Sequence, residues 1–219
     1  GRHRWSMKFL VLSDIHGREK VASWALRLAN EHGVDAYLVL GDITHFGPAA
    51  WASEFLSRLD RPAYAIPGNC DPLEVCSEIE RHATLLHARK VMVKGESFIG
   101  LGGSNPTIFE TPFELEEVDI ESALRPLMEK GAVMVLHAPP LGFNDRIPSG
   151  MHVGSEAILK LVKEYRPKAV LSGHIHEDRG IMESDGTVFM NPGAAKDGCS
   201  GLMEIDEGVR MTLLDPITD

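Results

Sequence analysis

Cysteine is scarce in this chain. Cys70, Cys76 and Cys199 are the only three among 219 residues. Their odd number and irregular spacing exclude a disulfide framework and fit a reducing, cytoplasmic setting. No apolar run is long enough to span a bilayer, which argues against a membrane-embedded role. A basic stripe is also missing. The net charge of −10 argues against long nucleic acid as a partner and against any general polyanion-binding surface. Low-complexity tracts, linkers and internal repeats are absent too. The 43% apolar and 25% charged content is that of one ordinary folded domain. Residues Gly1–Ser6 lack the apolar core of a signal peptide. They read as a vector scar or disordered leader in which His3 has no role, and residues 7–219 read as a single domain. Self-association as a homo-oligomer stays open.

What the chain does have is a set of apolar runs that each stop at a polar residue. Phe9–His16 ends in Asp14-Ile-His16, Tyr37–Asp42 in Gly-Asp42, and Tyr64–Asn69 in Gly-Asn69. Val133–His137 ends in His137, and Val170–His176 in Gly173-His174-Ile-His176. A buried strand that ends in a carboxylate or imidazole carries that group to the rim of a sheet, where ligands collect in α/β folds. Strand-like and helix-like segments alternate through the front half. Strands are expected near residues 8–12, 36–40 and 62–66, and helices over 20–31, 48–59 and 72–82. Short strands are expected at 84–87, 90–93 and 97–101, then a loop from 102 to 112. A helix over 116–130 should be kinked or shortened by Pro126. Strands at 133–137 and 168–172 flank a helix at 155–165, and the tail from 179 to 214 is strand and turn.

The polar stops amount to two carboxylates, one amide and four imidazoles. Asp14 and His16 share one side of an extended chain if the strand continues through them, and His174 and His176 have the same spacing. Asp42 is the candidate bridge between two cations, with Gly41 letting the backbone turn. A mixed nitrogen and oxygen set suits Mn, Fe, Zn, Ni or Co better than Ca or Mg. Two such ions lower the pKa of a shared water and clamp phosphoryl oxygens, so the natural reaction is in-line attack of a bridging hydroxide on phosphorus.

Asp14-Ile-His16, Gly41-Asp42, Gly68-Asn69-Cys70-Asp71, His137 and Gly173-His174-Ile-His176 resemble, in order, the five motifs of the calcineurin-like metallophosphoesterases. His137-Ala-Pro-Pro140, Asn191-Pro-Gly193 and the loop Asp145–Ser155 are similar to an archaeal and bacterial branch of predicted phosphoesterases. The resemblance implies an α/β (α+β) fold, a four-layer αββα sandwich of two mixed sheets flanked by helices. It implies one ion on Asp14, His16, Asp42 and His176, and a second on Asp42, Asn69, His137 and His174, with manganese the leading metal. The residues assigned to the chemistry itself are Asp42, Asn69, Cys70 and His137. The family's third motif usually carries His where this chain has Cys70, and a thiol is a weak proton source. The expected function is therefore hydrolysis of a small phosphate ester, with diesters bearing good leaving groups preferred. A nuclease or nucleotide pyrophosphatase on the same centre and a non-catalytic metal-binding scaffold are the alternatives.

Asp71 is either a further motif carboxylate or the N-cap before Pro72. Cys70 has no neighbouring base in sequence and is not read as a nucleophile. His45 follows the second motif closely, and for it too a place facing the site and a plain solvated loop are both open. For Arg146 and His152, substrate contact and a plain solvated loop are both open. His32, His82 and His87 read as surface residues, Trp24, Trp51 and Phe55 as helix-face core, and Cys76 and Cys199 as core or turn. The acidic run Glu114–Glu121 reads as the start of a helix.

Overall fold

The computed structural model describes residues 6–218. Of the expected leader, residues 1–5 lie outside the described residues. Two six-stranded mixed sheets pack face to face. The first takes β1 (Met7–Leu12), β2 (Ala36–Val39), β3 (Ala63–Ala65) and β4 (Thr84–Leu85) as parallel neighbours. Late in the chain, β11 (Gly201–Ile205) and β12 (Val209–Leu213) return as a hairpin antiparallel to β1. The second sheet runs in the order β5 (Arg89–Val93), β6 (Glu96–Leu101), β7 (Val133–Leu136), β8 (Ala169–Leu171), β10 (Thr187–Asn191) and β9 (Gly180–Ser184). Its four middle strands are parallel and its two edge strands antiparallel.

The strict period of two within each run builds the layers. In β1, Phe9 and Val11 point between the sheets, whereas Leu10 and Leu12 point outward to helices. In β7, Val133 and Val135 face the same inner core, and Met134 and Leu136 face the opposite helical layer. Strands buried on both faces must be apolar throughout, which is why these runs read as continuous hydrophobics. On the first sheet lie α1 (Lys20–His32), α2 (Ala50–Ser57) and α3 (Val75–Glu80); on the second lie α4 (Glu117–Leu124) and α5 (Glu156–Tyr165). Trp24 and Phe55 are core side chains, and Trp51 stacks on Phe55 while its Nε1 donates to Glu19 Oε1 at 2.8 Å. The layer order is αββα, as the motif resemblance implies.

Helix ends depart from expectation for local reasons. Pro48 and Pro72 stand in turns before α2 and α3 and not within them. Helix α4 stops at Leu124, where Arg125–Leu127 tightens into a 3-10 turn around Pro126, which has no N–H to continue the α ladder. Ser155 caps α5, accepting from Ile158 N at 3.1 Å. Glu117, at the start of α4, accepts from Ser155 Oγ at 2.6 Å and from the first amides of α5. A carboxylate at a helix N-terminus meets the positive end of the dipole, so the acidic segment joins two helices. Glu114 lies before that helix.

His87 is not a surface residue. Its Nδ1 accepts from Gly102 N at 2.8 Å, and its ring packs on Phe113 with centroids 5.0 Å apart. Burial, aided by the Arg89 charge, pushes its pKa down to about 4. The unfolded chain binds a proton at this residue near the ordinary value of 6.5, and the folded chain does not until about pH 4. The contribution of His87 to stability is therefore complete above about pH 6.5 and falls as pH drops toward 4, on the order of 2–3 kcal/mol in all. In urea titrations, His87→Gln is expected to lose less stability than the wild type between about pH 7 and about pH 4.5. Equal losses in the two proteins would refute this account.

Candidate metal centre

The predicted ligands leave both sheets at the carboxyl ends of their strands. Asp14 and His16 follow β1, Asp42 follows β2, Asn69 follows β3, His137 follows β7, and His174 and His176 follow β8. The expected extended geometry for the paired ligands is not what the chain adopts. Strand β1 ends at Leu12, and Asp14 and His16 both take left-handed backbone, at φ 55° and 48°. Asp42 (φ 50°) and His174 (φ 68°) do the same. Side chains with a Cβ avoid this region at a cost of roughly 1–2 kcal/mol per residue. Backbone bonds hold them there: Asp14 N donates to Gly41 O at 3.0 Å, and His16 N to Asp42 O at 2.8 Å. Two glycines make the crossing possible. A Cβ on Gly41 (φ 97°) would lie 2.8 Å from His137 Nδ1, and one on Gly173 would overlap Ser13 Oγ.

The result is a tight polar crease between the sheets. Asp14 Oδ1 is buried and makes no hydrogen bond. Around it stand His176 Nε2 at 3.0 Å, His16 Nε2 at 3.8 Å and His137 Nε2 at 4.0 Å. Asp42 Oδ2 lies 3.3 Å from His137 Nε2 and 3.5 Å from His16 Nε2, midway in the group. His137 is fully buried; its Nδ1 meets Leu40 O at 2.7 Å and its Nε2 meets Asn69 Oδ1 at 2.9 Å. Since both partners are carbonyl oxygens that only accept, both ring nitrogens carry protons here, in keeping with a charged imidazole, and Nε2 is the one on the crease side. Among the described residues, three sets of ligand atoms lie mutually within 4.8 Å: Asp14, His16 and His176; Asp14, Asp42 and His137; and His16, Asp42 and Cys70. His174 belongs to none of them, but its ring sits 5.1 Å from that of His137.

Charge explains why such a cluster calls for cations. Burial works against ionising Asp14 and Asp42, yet both carboxyls are held below their ordinary range by His176 and His137 respectively. Burial likewise disfavours a charged His137, but Asp42 and Asp14 outweigh it and lift this imidazole to about 9. His176 is raised by Asp14 against its burial, while burial and the charge on His137 push His174 down to about 4. A buried carboxylate oxygen facing only imidazole nitrogens is the arrangement that a divalent cation satisfies. The donor set fits two such ions.

Several supporting residues were not legible in the sequence. Ser13 Oγ donates to Asp14 Oδ2 at 2.7 Å, and His174 N donates to the same oxygen at 3.1 Å. Thr111 Oγ1 accepts from Asn69 Nδ2 at 3.0 Å, which turns Asn69 Oδ1 toward His137. Glu114 in turn binds the Thr111 amide and hydroxyl; the Thr107 and Thr111 donors hold its carboxyl at about 2 against slight burial. Asp71 caps no helix, for α3 begins at Val75. It is buried and accepts from Gly68 N, Ile43 N, Thr44 N and Thr44 Oγ1 at 2.7–3.1 Å, clamping the loop after β2 to the loop after β3. Cys70 donates its backbone N–H to Asp42 Oδ1 at 2.8 Å. Burial, and then Asp42, push its thiol well above the usual range. Of the two readings open for His45, the structure favours the one at the site, with its Nδ1 3.4 Å from His16 Nδ1. His152 is bound to Asp145, and Arg146 N to Asp178 Oδ2.

A two-sheet sandwich with a cluster of nitrogen and oxygen donors at its strand ends is a framework able to hold metal ions. The calcineurin-like phosphoesterase family matches residues 7–178, and the chain belongs to that family. It is 32% identical over 195 residues to the uncharacterized protein MJ1162 of Methanocaldococcus jannaschii, covering 85% of this chain and 88% of that one. The crystal structure of TT1561 of Thermus thermophilus superposes with a TM-score of 0.71 at 16% identity, covering 95% of this chain and 99% of that one. A dimetal phosphatase from Danio rerio superposes with a TM-score of 0.63 at 11% identity, covering 94% and 95%. These structural likenesses establish the shared fold. Among the described residues, no helix is long and apolar enough to cross a membrane.

Two measurements test this geometry. Manganese is expected to raise the melting temperature of the wild type and to leave that of Asp14→Asn unmoved; an equal rise in both would remove Asp14 from the centre. Asp71→Ala strands four buried donors and is expected to cost about 3 kcal/mol or more in chemical denaturation. A variant as stable as the wild type would show that the clamp is idle.

Proposed function

We propose that this protein hydrolyses a small phosphate ester, with diesters preferred, using two divalent ions held by Asp14, His16, Asp42, Asn69, His137, His174 and His176. Asp42 stands between the two halves of the set and would be the shared ligand. The observation that carries this reading is the buried Asp14 Oδ1, unbonded and ringed by imidazole nitrogens from both sheets. Divalent ions at such a centre lower the pKa of water and neutralise charge on phosphoryl oxygens. Manganese is the leading candidate, with Fe, Zn, Ni and Co compatible with the same donors.

The side chains have separable tasks. Asp14 and Asp42 supply the negative charge that concentrates cations in the crease. His137 is locked through Leu40 O and keeps one nitrogen aimed inward. Asn69 offers a neutral oxygen whose direction Thr111 sets. Cys70 contributes its backbone N–H to Asp42; a thiol raised by burial and by that carboxylate is neither an attacking thiolate nor a strong acid. The third motif therefore supplies no ready proton to a departing oxygen, and with that motif alone esters with good leaving groups would be favoured. The net charge of −10 speaks against a nuclease on long polymers. A non-catalytic scaffold has no need for this much convergent, strained ligand geometry.

Hydrolysis of bis(p-nitrophenyl) phosphate with added manganese is the direct test. The wild type is expected to turn it over, and Asp42→Asn to lose more than ~100-fold, beyond the effect of disturbing a residue that only supports a ligand. Cys70→Ser is expected to change the rate little. Bound manganese without turnover in the wild type would support the scaffold instead.

A further inference from the structure

The hairpin after His137 holds a second acid–imidazole pair that the metal centre does not use. Asp145 is fully buried, and its Oδ2 accepts from Gly142 N and Gly154 N, both at 2.9 Å. Its other oxygen, Oδ1, lies 2.6 Å from His152 Nδ1. A carboxylate can only accept, so Nδ1 donates, and Nε2 is left with no hydrogen-bond partner among the described residues. The His152 side chain is 39% exposed, enough for that nitrogen to meet a ligand. Closing the hairpin does not require the imidazole. Val153 N to Asp145 O and Ile147 N to Met151 O, both 3.0 Å, already close it.

The base of this hairpin is tied to both flanks of the crease. On one side, Arg146 N donates to Asp178 Oδ2 at 2.9 Å, and Asn144 Nδ2 reaches Asp178 O and Gly180 O, just beyond His176. On the other, Asn105 Nδ2 donates to Val153 O at 3.1 Å. Asn105 belongs to the loop whose Thr111 orients Asn69. The hairpin strand that carries His152 is thus tied through its neighbours to the segment following His176 on one side and to the loop steering Asn69 on the other.

We infer that His152 is the proton donor to the leaving group, held in orientation by Asp145, in the role that Cys70 cannot fill. This rests on the phosphoester reading above. In the step, the oxygen of a hydroxide ion forms the new bond to phosphorus. The phosphorus–oxygen bond to the leaving group breaks, and its electron pair stays on that oxygen. The proton on Nε2 of the imidazolium passes to the same oxygen, giving a neutral alcohol or phenol and a neutral imidazole. Asp145 steadies the charged ring before transfer, as a buried carboxylate does for a catalytic histidine.

The test compares leaving groups within one preparation: bis(p-nitrophenyl) phosphate, whose phenolate departs unaided, against diphenyl phosphate, whose phenolate needs a proton. Their rate ratio does not depend on the fraction of protein folded. In His152→Gln the diphenyl rate is expected to fall on the order of 10²-fold, with the p-nitrophenyl rate nearly unchanged. Added imidazole should restore the diphenyl rate selectively in His152→Ala. A ratio equal to that of the wild type in both variants overturns the inference and leaves the phosphoesterase reading intact. If the manganese-loaded wild type hydrolyses neither ester, both fall together.

Discussion

The structure depends on keeping two carboxylates, Asp14 and Asp42, side by side out of water. Each is almost wholly buried, and each would be neutral on burial alone. They stay ionised because imidazoles from both sheets converge on them and because backbone amides of Cys70 and His174 donate to them. Such a crease stores electrostatic demand that only positive charge can meet. Most of the local peculiarities nearby are consequences: left-handed ligand residues, glycines where a methyl group would collide, and a carboxylate clamp beneath.

The fold supplies rigidity in the right place. Four parallel strands in each sheet end along one rim, and an apolar core fixes the sheets against each other. The inward reach of the ligands then comes from short turns, not from long loops. Asp71 binds two of those turns to each other, while Thr111 and Glu114 fold a longer excursion back onto Asn69. Side chains set by packing and by a further layer of hydrogen bonds hold their directions closely, which a centre with several ligands requires.

The layers and the polar rim at the strand ends were legible because both are written at short range. Alternation within Phe9–Leu12 or Val133–Leu136 states which face is inner, and the polar residue that follows marks the rim. What escaped was written at long range or in backbone torsion. Asp71 finds its partners at Ile43 and Thr44, 28 and 27 residues away, and Asn69 meets Thr111 across 42 residues. No local pattern carries such pairings. The spacing of Asp14 and His16 fits an extended chain as well as a left-handed turn, and only the bonds to Gly41 O and Asp42 O decide between them. His87 lies at the end of an element, which reads as surface until Phe113 and Gly102 return to cover it.

The distribution of the candidate ligands over both sheets has one more consequence. No contiguous piece of the chain holds the whole candidate donor set, since Asp14 and His176 meet only when β1 and β8 have docked across the inner core. A nascent or clipped chain would therefore be unable to load the centre, however much of its secondary structure had formed. Occupancy would act as a seal on finished assembly, fastening the two halves of the sandwich along their shared edge.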